Sequence, residues 1–310
     1  MNAIEASGLG KRFRRTWALR DCSLAIPAGH VVALVGPNGA GKTTLLHMTV
    51  GLTAPTAGAV TVLGGQPAGS PGALDRVAFV AQDAPLYKNL PAADMLHLAR
   101  NLNRDWDQEY AEGRLDDLGI PLKRKVGKLS GGQQAQLALT VALARRPELL
   151  ILDEPLAMLD PLARHDFMAS VMAAVAEDGV SVVLSSHVLA ELERVADYLI
   201  VLARGQVQMA GEVDELLAGH RVLTGPASET DDHMQRMSVV NCRRAGAQSH
   251  LLVRTATSAD PVPPGWQPHD VGLEELVLAY LREPGASALP GPVAVHAGHS
   301  AGGPGHGRPA

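Results

Sequence analysis

The chain has 310 residues, 46% of them hydrophobic and 19% charged, a balance that suits a globular protein with a sizeable core and excludes wholesale disorder. Its formal net charge is −5, from 27 Lys plus Arg against 32 Asp plus Glu, so no net basic charge argues for nucleic acid. Two cysteines, Cys22 and Cys242, exclude a disulfide scaffold and suit a reducing compartment.

The opening MNAIEASGLGKRFRR has no apolar core behind its charges and predicts no signal peptide. No run reaches the ~18 consecutive apolar residues of a membrane span, so any membrane role is expected to need a partner. Apolar runs predict strands at 31–35, 60–63, 77–81, 149–152, 180–184 and 198–203. Several are continuously apolar, as strands buried on both faces are. Between them, helices are predicted at 42–50, 92–102, 108–118, 132–145, 161–177 and 187–195. The alternation predicts an α/β domain over 1–219 with a largely parallel sheet. The stretch from about 83 to 146 reads as helices only and is expected to be a helical insert on that sheet.

Beyond 219 the character changes. Residues 220–270 are polar, with one short strand predicted at 250–254 and a Pro-rich hinge, DPVPPGWQP. A last amphipathic helix over 271–282 carries Leu273, Leu276, Val277 and Tyr280 at helical spacing, so 220–283 is expected to form a small C-terminal extension. In 284–310, 12 of 27 residues are Gly or Pro, which predicts a disordered tail. His296, His299 and His306 in it could chelate a metal only if that flexible segment were first ordered.

The sequence GPNGAGKT at 36–43 follows the apolar run 31–35 and opens a helix, which is the strand–loop–helix setting of a phosphate-binding loop. Its glycines let backbone N–H groups surround the α- and β-phosphates while the helix presents its positive end to the same anion. Gly36, Pro37, Asn38, Gly39, Ala40, Gly41, Lys42, Thr43 and Thr44 are therefore candidate nucleotide contacts. Lys42 would supply a charge to the β/γ-phosphates and Thr43 a hydroxyl to Mg²⁺. LLILDEP at 149–155 ends an apolar strand in Asp153, a candidate metal ligand, and Glu154, a candidate general base for the attacking water. These two motifs predict a nucleotide hydrolase that uses Mg²⁺, without saying which one; ATP as the nucleotide is implied only by the resemblance that the next motif brings.

LSGGQ at 129–133 offers a helix start capped by Ser130, with Gly131 and Gly132 allowing close backbone approach to an anion. With this third motif in order behind the others, the chain resembles the ATP-binding subunit of an ABC transporter over about residues 3–218, which implies the P-loop NTPase core of ABC type. The resemblance implies that Phe13 stacks on adenine, with Trp17 a nearby rival. It implies that Gln82 contacts Mg²⁺ and water, and that Ser130, Gly131, Gly132 and Gln133 meet the γ-phosphate of ATP held by another protomer. Asp160 is implied to communicate across the dimer, and His187 to act as the switch histidine near the γ-phosphate. Two departures stand out. Gln136 replaces a frequent arginine, so a salt bridge or surface contact is expected to be missing, and AMLD at 157–160 differs from the usual small-residue variants.

One phosphate loop and one signature imply a head-to-tail two-fold dimer, with itself or a homologous subunit, containing two composite sites. Separately encoded permease subunits are implied as partners, with the chain peripheral on the cytoplasmic face of the membrane and no nucleic acid expected. APLYKNL at 84–90 is a candidate surface for a coupling helix, with ordinary packing inside the insert as the alternative. The ending GLEELVLAYL resembles the short segment of ATPases paired with export-type permeases, which implies export. Two alternatives are a soluble ABC ATPase acting on ribosomes or nucleic acid, and a regulator that binds but does not hydrolyse. The presence of Lys42, Asp153, Glu154 and His187 argues against the second.

Overall fold

The computed structural model describes residues 1–83, 86–255, 262–283 and 285–286. A long antiparallel hairpin comes first, β1 (Asn2–Phe13) and β2 (Thr16–Pro27). Arg14 in its two-residue turn takes φ +54, the left-handed conformation that a tight hairpin requires. β3 (Val31–Val35) is buried at every residue and leads through the glycine loop into α1 (Lys42–Thr49). β4 (Ala57–Val62) and β5 (Gln66–Pro67) complete a four-stranded antiparallel sheet in the order β2-β1-β4-β5. α2 (Pro71–Arg76) is capped by Ser70 and carries Pro71 in its first turn, and it delivers the chain to β6 (Val77–Val80).

Among the described residues, only helical elements and one isolated bridge, Pro91 with Lys125, occur before the next strand. They include α3 (Ala92–Leu102), α4 (Gln108–Asp117) and α5 (Gly131–Leu143), which share their own apolar cluster around Leu96, Leu115 and Leu137. The core then resumes with β7 (Leu149–Leu152), α6 (Pro161–Asp178), β8 (Ser181–Ser186), α7 (Leu189–Leu192), β9 (Tyr198–Ala203), β10 (Gln206–Glu212) and α8 (Val213–Ala218).

These strands form a six-stranded sheet in the order β10-β9-β3-β8-β7-β6, parallel except for the edge strand β10. Alternate residues feed two cores. Ala33, Leu150, Val182 and Leu199 pack toward α5 and α6, whereas Leu34, Ile151, Val183 and Ile200 pack toward α1 and the antiparallel sheet. This is an α/β P-loop arrangement. The loops leaving β3, β8, β7 and β6 emerge side by side at the carboxyl edge of the sheet, where ligands bind in open α/β folds.

The C-terminal part corrects one expectation. Where one short strand was predicted, β11 (His220–Pro226), β12 (Ser238–Ala245), β13 (Gln248–Arg254) and β14 (Gln267–His269) form an antiparallel sheet in the order β12-β13-β11-β14. α9 (Thr230–Arg236) lies between its first two strands in sequence. Their apolar residues are split between two faces, which dilutes the sequence signal. Val222, Val240 and Leu252 face α10 (Leu273–Arg282), and Leu223, Leu251 and Val253 face Trp266. α10 buries Leu276, Val277 and Tyr280 fully, each apolar side chain of this kind contributing roughly 1.5–3 kcal/mol. It belongs to the same apolar cluster as α5 and α6. The helix starts at Leu273 rather than at the predicted residue 271, and the helix predicted at 187–195 is the single turn α7. The predicted tail lies outside the described residues apart from Gly285 and the buried Ala286, and the first two residues of APLYKNL lie outside them too.

Candidate functional site

The glycine loop is shaped by close backbone approach. Gly39 and Gly41 have φ of +80 and +107, a region that a side chain makes costly. A Cβ on Gly36 would stand 2.1 Å from the Leu202 carbonyl oxygen, and one on Gly41 would stand 2.7 Å from that of Ala18. The loop is thus wedged between β2 and β9. No side chain caps α1, so its first N–H groups remain available to an anion. Lys42, 5% exposed, bends back and donates to the Gly36 carbonyl at 2.8 Å.

β7 ends beside that loop. Lys42 Nζ lies 3.1 Å from Glu154 Oε1, and His187 Nδ1, at the end of β8, lies 2.7 Å from Glu154 Oε2. One carboxylate therefore joins the phosphate loop to the histidine. Burial, the largest influence on Glu154, raises its pKa, but hydrogen bonds from Lys42 and His187 and the charges of both outweigh it. The net result holds the carboxyl below its ordinary value. Asp153 is 2% exposed, and its Oδ1 accepts from the Ser185 hydroxyl at 2.7 Å.

Phe13, Asn38, Gly39, Ala40, Gly41, Lys42, Thr43, Thr44, Gln82, Glu154 and His187 all line one open cleft of about 510 Å³. Phe13 is 51% exposed at its rim, with the Lys11 ammonium 5.1 Å from the ring centroid. Trp17 does not line the cleft; it lies beside the guanidinium of Arg12. Gly36 and Pro37 form the base of the loop without lining the cleft, and Asp153 lies buried next to it.

The signature stands apart. Ser130 caps α5 in a reciprocal box, accepting from Gln133 N–H at 3.2 Å while the Gln133 side chain accepts from Ser130 N–H at 3.1 Å. A Cβ on Gly132 would meet that of Ala163 at 2.9 Å, so the start of α5 lies against the start of α6. Asp160 caps α6 by accepting from Ala163 N–H at 3.0 Å. Ser130, Gly131 and Asp160 are exposed, and none of Ser130, Gly131, Gly132, Gln133 or Asp160 lines the cleft of the same chain.

A family model described as ABC transporter matches residues 19–157. The Fe(3+) ions import ATP-binding protein FbpC of Pseudomonas fluorescens is 36% identical over 70% of this chain and 63% of its own length. The lantibiotic transport ATP-binding protein SrtF of Streptococcus pyogenes is 30% identical over 68% of this chain and 91% of its own. Among solved structures, an ATP-binding subunit of an ABC transporter superposes with a TM-score of 0.62 at 28% identity, covering 69% of this chain and 91% of that one. The chain belongs to the ABC transporter ATP-binding family. It spans less than two thirds of the length of FbpC. A bacterial ABC transporter cassette solved as a dimer matches it with a TM-score of 0.61 at 26% identity, over 68% of this chain and 98% of that one.

This family hydrolyses ATP, and the cassette holds two arrangements that its sequence did not disclose. Gln136 is buried rather than at the surface, and its Oε1 accepts from Arg114 Nη2 at 3.2 Å. A guanidinium from α4 thus reaches the position where the resemblance led to an expected loss of contact. Ser185, fully buried on β8, contacts both Asp153 and the backbone of Glu154. Its only sequence signal was its place two residues before His187.

Proposed function

We propose that the chain is the ATP-binding and ATP-hydrolysing subunit of a membrane transporter, that it works as a head-to-tail dimer, and that it powers export through separate permease subunits. The observation that carries the reading is the Lys42–Glu154–His187 chain at the edge of the phosphate loop. Adenine would stack on Phe13, loop N–H groups would hold the phosphates, and Lys42 would neutralise the β/γ oxygens.

The donors near the loop fit Mg²⁺. The Thr43 hydroxyl, the Asp153 carboxylate and the Gln82 amide oxygen are hard ligands, few enough for phosphate oxygens and water to complete an octahedral shell. Among the described residues no cluster of three or more His, Cys, Asp or Glu offers a dedicated cage. Bound there, Mg²⁺ would offset charge on the phosphates. Glu154, kept ionised by its neighbours, would orient the attacking water and take its proton, with His187 holding the second carboxylate oxygen.

The cleft contains no signature residue of its own chain, which supports a second protomer supplying Ser130, Gly131, Gly132 and Gln133, with Asp160 at the same interface. The dimeric relative supports the same reading. We take 1–219 as the nucleotide-binding domain with its helical insert at about 83–146, and 220–283 as the extension. Export rests on the short ending GLEELVLAYL and on the match to a lantibiotic transport protein over most of its length; the similarity to an iron import protein favours the opposite direction. Ribosomes or nucleic acid as the target have no support from the relatives named above.

Affinity purification of the tagged chain from detergent-solubilised membranes tests the subunit reading. A multi-span permease is expected to accompany it, and recovery with ribosomes alone would overturn it. For direction, inside-out vesicles carrying the complex should accumulate a labelled lantibiotic peptide when ATP is added. ATP-driven release from preloaded vesicles would instead assign import.

A further inference from the structure

We propose that Ser185 is a positioning residue for hydrolysis, setting the Asp153 carboxylate and the Glu154 backbone with a single hydroxyl. The side chain is fully buried on β8, which pairs in parallel with β7 so that Leu184 faces Leu152 and Ser185 stands next to the Asp153–Glu154 step. Its Oγ donates to Asp153 Oδ1 at 2.7 Å and accepts from Glu154 N–H at 2.8 Å.

A hydroxyl has one proton to give and lone pairs to receive. Here the proton is committed to the carboxylate and a lone pair to the amide, so each bond fixes the orientation of the other. Restricting Oδ1 restrains rotation of the Asp153 carboxylate. The second bond acts on a backbone that needs support, because Glu154 has φ +47. A non-glycine residue in that left-handed region persists only where its surroundings over-determine it. Asp153 N–H is in turn held by the Val80 carbonyl at 2.9 Å. β6 and β8 thus clamp the turn from both sides, and the turn points Glu154 at Lys42 and His187. Alanine matches the volume of serine closely but leaves a buried carboxylate oxygen and a half-buried N–H without this partner. The expected loss is therefore of geometry at Glu154.

This inference rests on Glu154 being the general base, and the experiment separates the two claims. ATP Kd, single-turnover hydrolysis at saturating Mg·ATP and the thermal midpoint are measured for wild type, Ser185→Ala, Ser185→Thr, Glu154→Gln and the Ser185→Ala/Glu154→Gln double variant. Ser185→Ala is expected to slow hydrolysis roughly 10- to 100-fold while ATP Kd stays within about threefold, the split that marks loss of transition-state geometry. Ser185→Thr, which keeps the hydroxyl, should recover most of the rate. In the Glu154→Gln background, Ser185→Ala should cost clearly less than it does in wild type, because the base it positions is gone and only its hold on Asp153 remains.

A Ser185→Ala rate above about one third of wild type, a Kd loss in proportion to the rate loss, or a full multiplicative loss in the double variant would each overturn the proposal. If Glu154→Gln alone keeps near-normal turnover, the general-base reading fails and this proposal fails with it. If Glu154→Gln is slow and Ser185→Ala is not, only the present inference falls. Should Ser185→Ala not fold, Ser185→Cys, similar in size with a weaker donor, carries the same comparison.

Discussion

Lys42 and Glu154 are paired across the phosphate loop, Nζ to Oε1 at 3.1 Å, with side chains only 5% and 11% exposed. The contact ties the group expected to hold phosphate to the group expected to activate water. A bound phosphate would compete with Glu154 for the same ammonium, leaving the carboxylate to His187 and to water. Glu154→Gln keeps the shape and removes the base. It should preserve ATP binding, slow hydrolysis by at least ~100-fold and accumulate an ATP-bound dimer. Equilibrium nucleotide binding, phosphate release and size exclusion together check this, and near-normal turnover would remove Glu154 from its role.

Phe13 and Trp17 separate cleanly in space, because only Phe13 lines the cleft. Base–aromatic stacking is worth roughly 1–3 kcal/mol by alanine substitution, so Phe13→Ala should weaken ATP binding about 5- to 150-fold. Trp17→Ala should leave it within about twofold, since that ring lies outside the cleft. Titration with a fluorescent ATP analogue distinguishes them, and the reverse ranking would make Trp17 the adenine platform.

The exposed signature tests the dimer. A mixed dimer of Lys42→Ala in one protomer and Ser130→Arg in the other puts both lesions into one composite site and leaves the second intact. Each mutant homodimer has both sites damaged. Mixed dimers, verified by differential tags, should occlude one Mg·ATP per pair where the homodimers occlude none. Retained nucleotide is the readout, because turnover can require both sites to close together. Equal retention by mixture and homodimers would show that residues 129–133 do not act across an interface.

His220 ties the end of α8 to α10 by bonding Leu216 on one side and Tyr280 on the other. His220 is 3% exposed, its Nδ1–H donates to the Leu216 carbonyl at 2.6 Å, and its Nε2 accepts from the Tyr280 hydroxyl at 2.9 Å. Arg254 donates to that hydroxyl in turn. This sequence of bonds needs a neutral imidazole. Burial, ahead of the nearby Arg254 charge, lowers the pKa from 6.5. The unfolded chain therefore takes up a proton that the folded chain resists. Stability linked to His220 is fully present above its unfolded pKa and is lost as pH falls through the lower, folded value. Tm should drop as pH falls below about 6.5, and His220→Gln should flatten that drop while lowering Tm at neutral pH. Differential scanning calorimetry across the range decides it; an unchanged acidic slope in the variant would rule His220 out as a contributor.

The glycine loop opening α1, the strand that ends before Asp153 and Glu154, and the capped start of α5 were legible in the sequence because each local structure uses contiguous residues. Backbone N–H groups can converge on an anion only if glycines sit at fixed spacing, as Gly39 and Gly41 do with their positive φ values. The inner strands were legible for a similar reason, since burial on both faces leaves an unbroken apolar run such as Val31–Val35. The hairpin of β1 and β2 was not, because its register shifts repeatedly and breaks the period of two. The sheet from β11 to β14 was hidden by dividing its apolar residues between Trp266 on one face and α10 on the other. Only tertiary structure decided that Phe13 rather than Trp17 borders the cleft, that Arg114 reaches Gln136, and that one hydroxyl of Ser185 spans Asp153 and Glu154. Such pairings depend on which strands and helices become neighbours, a long-range outcome of burying apolar faces, and no local pattern of residues encodes the resulting hydrogen-bond distance.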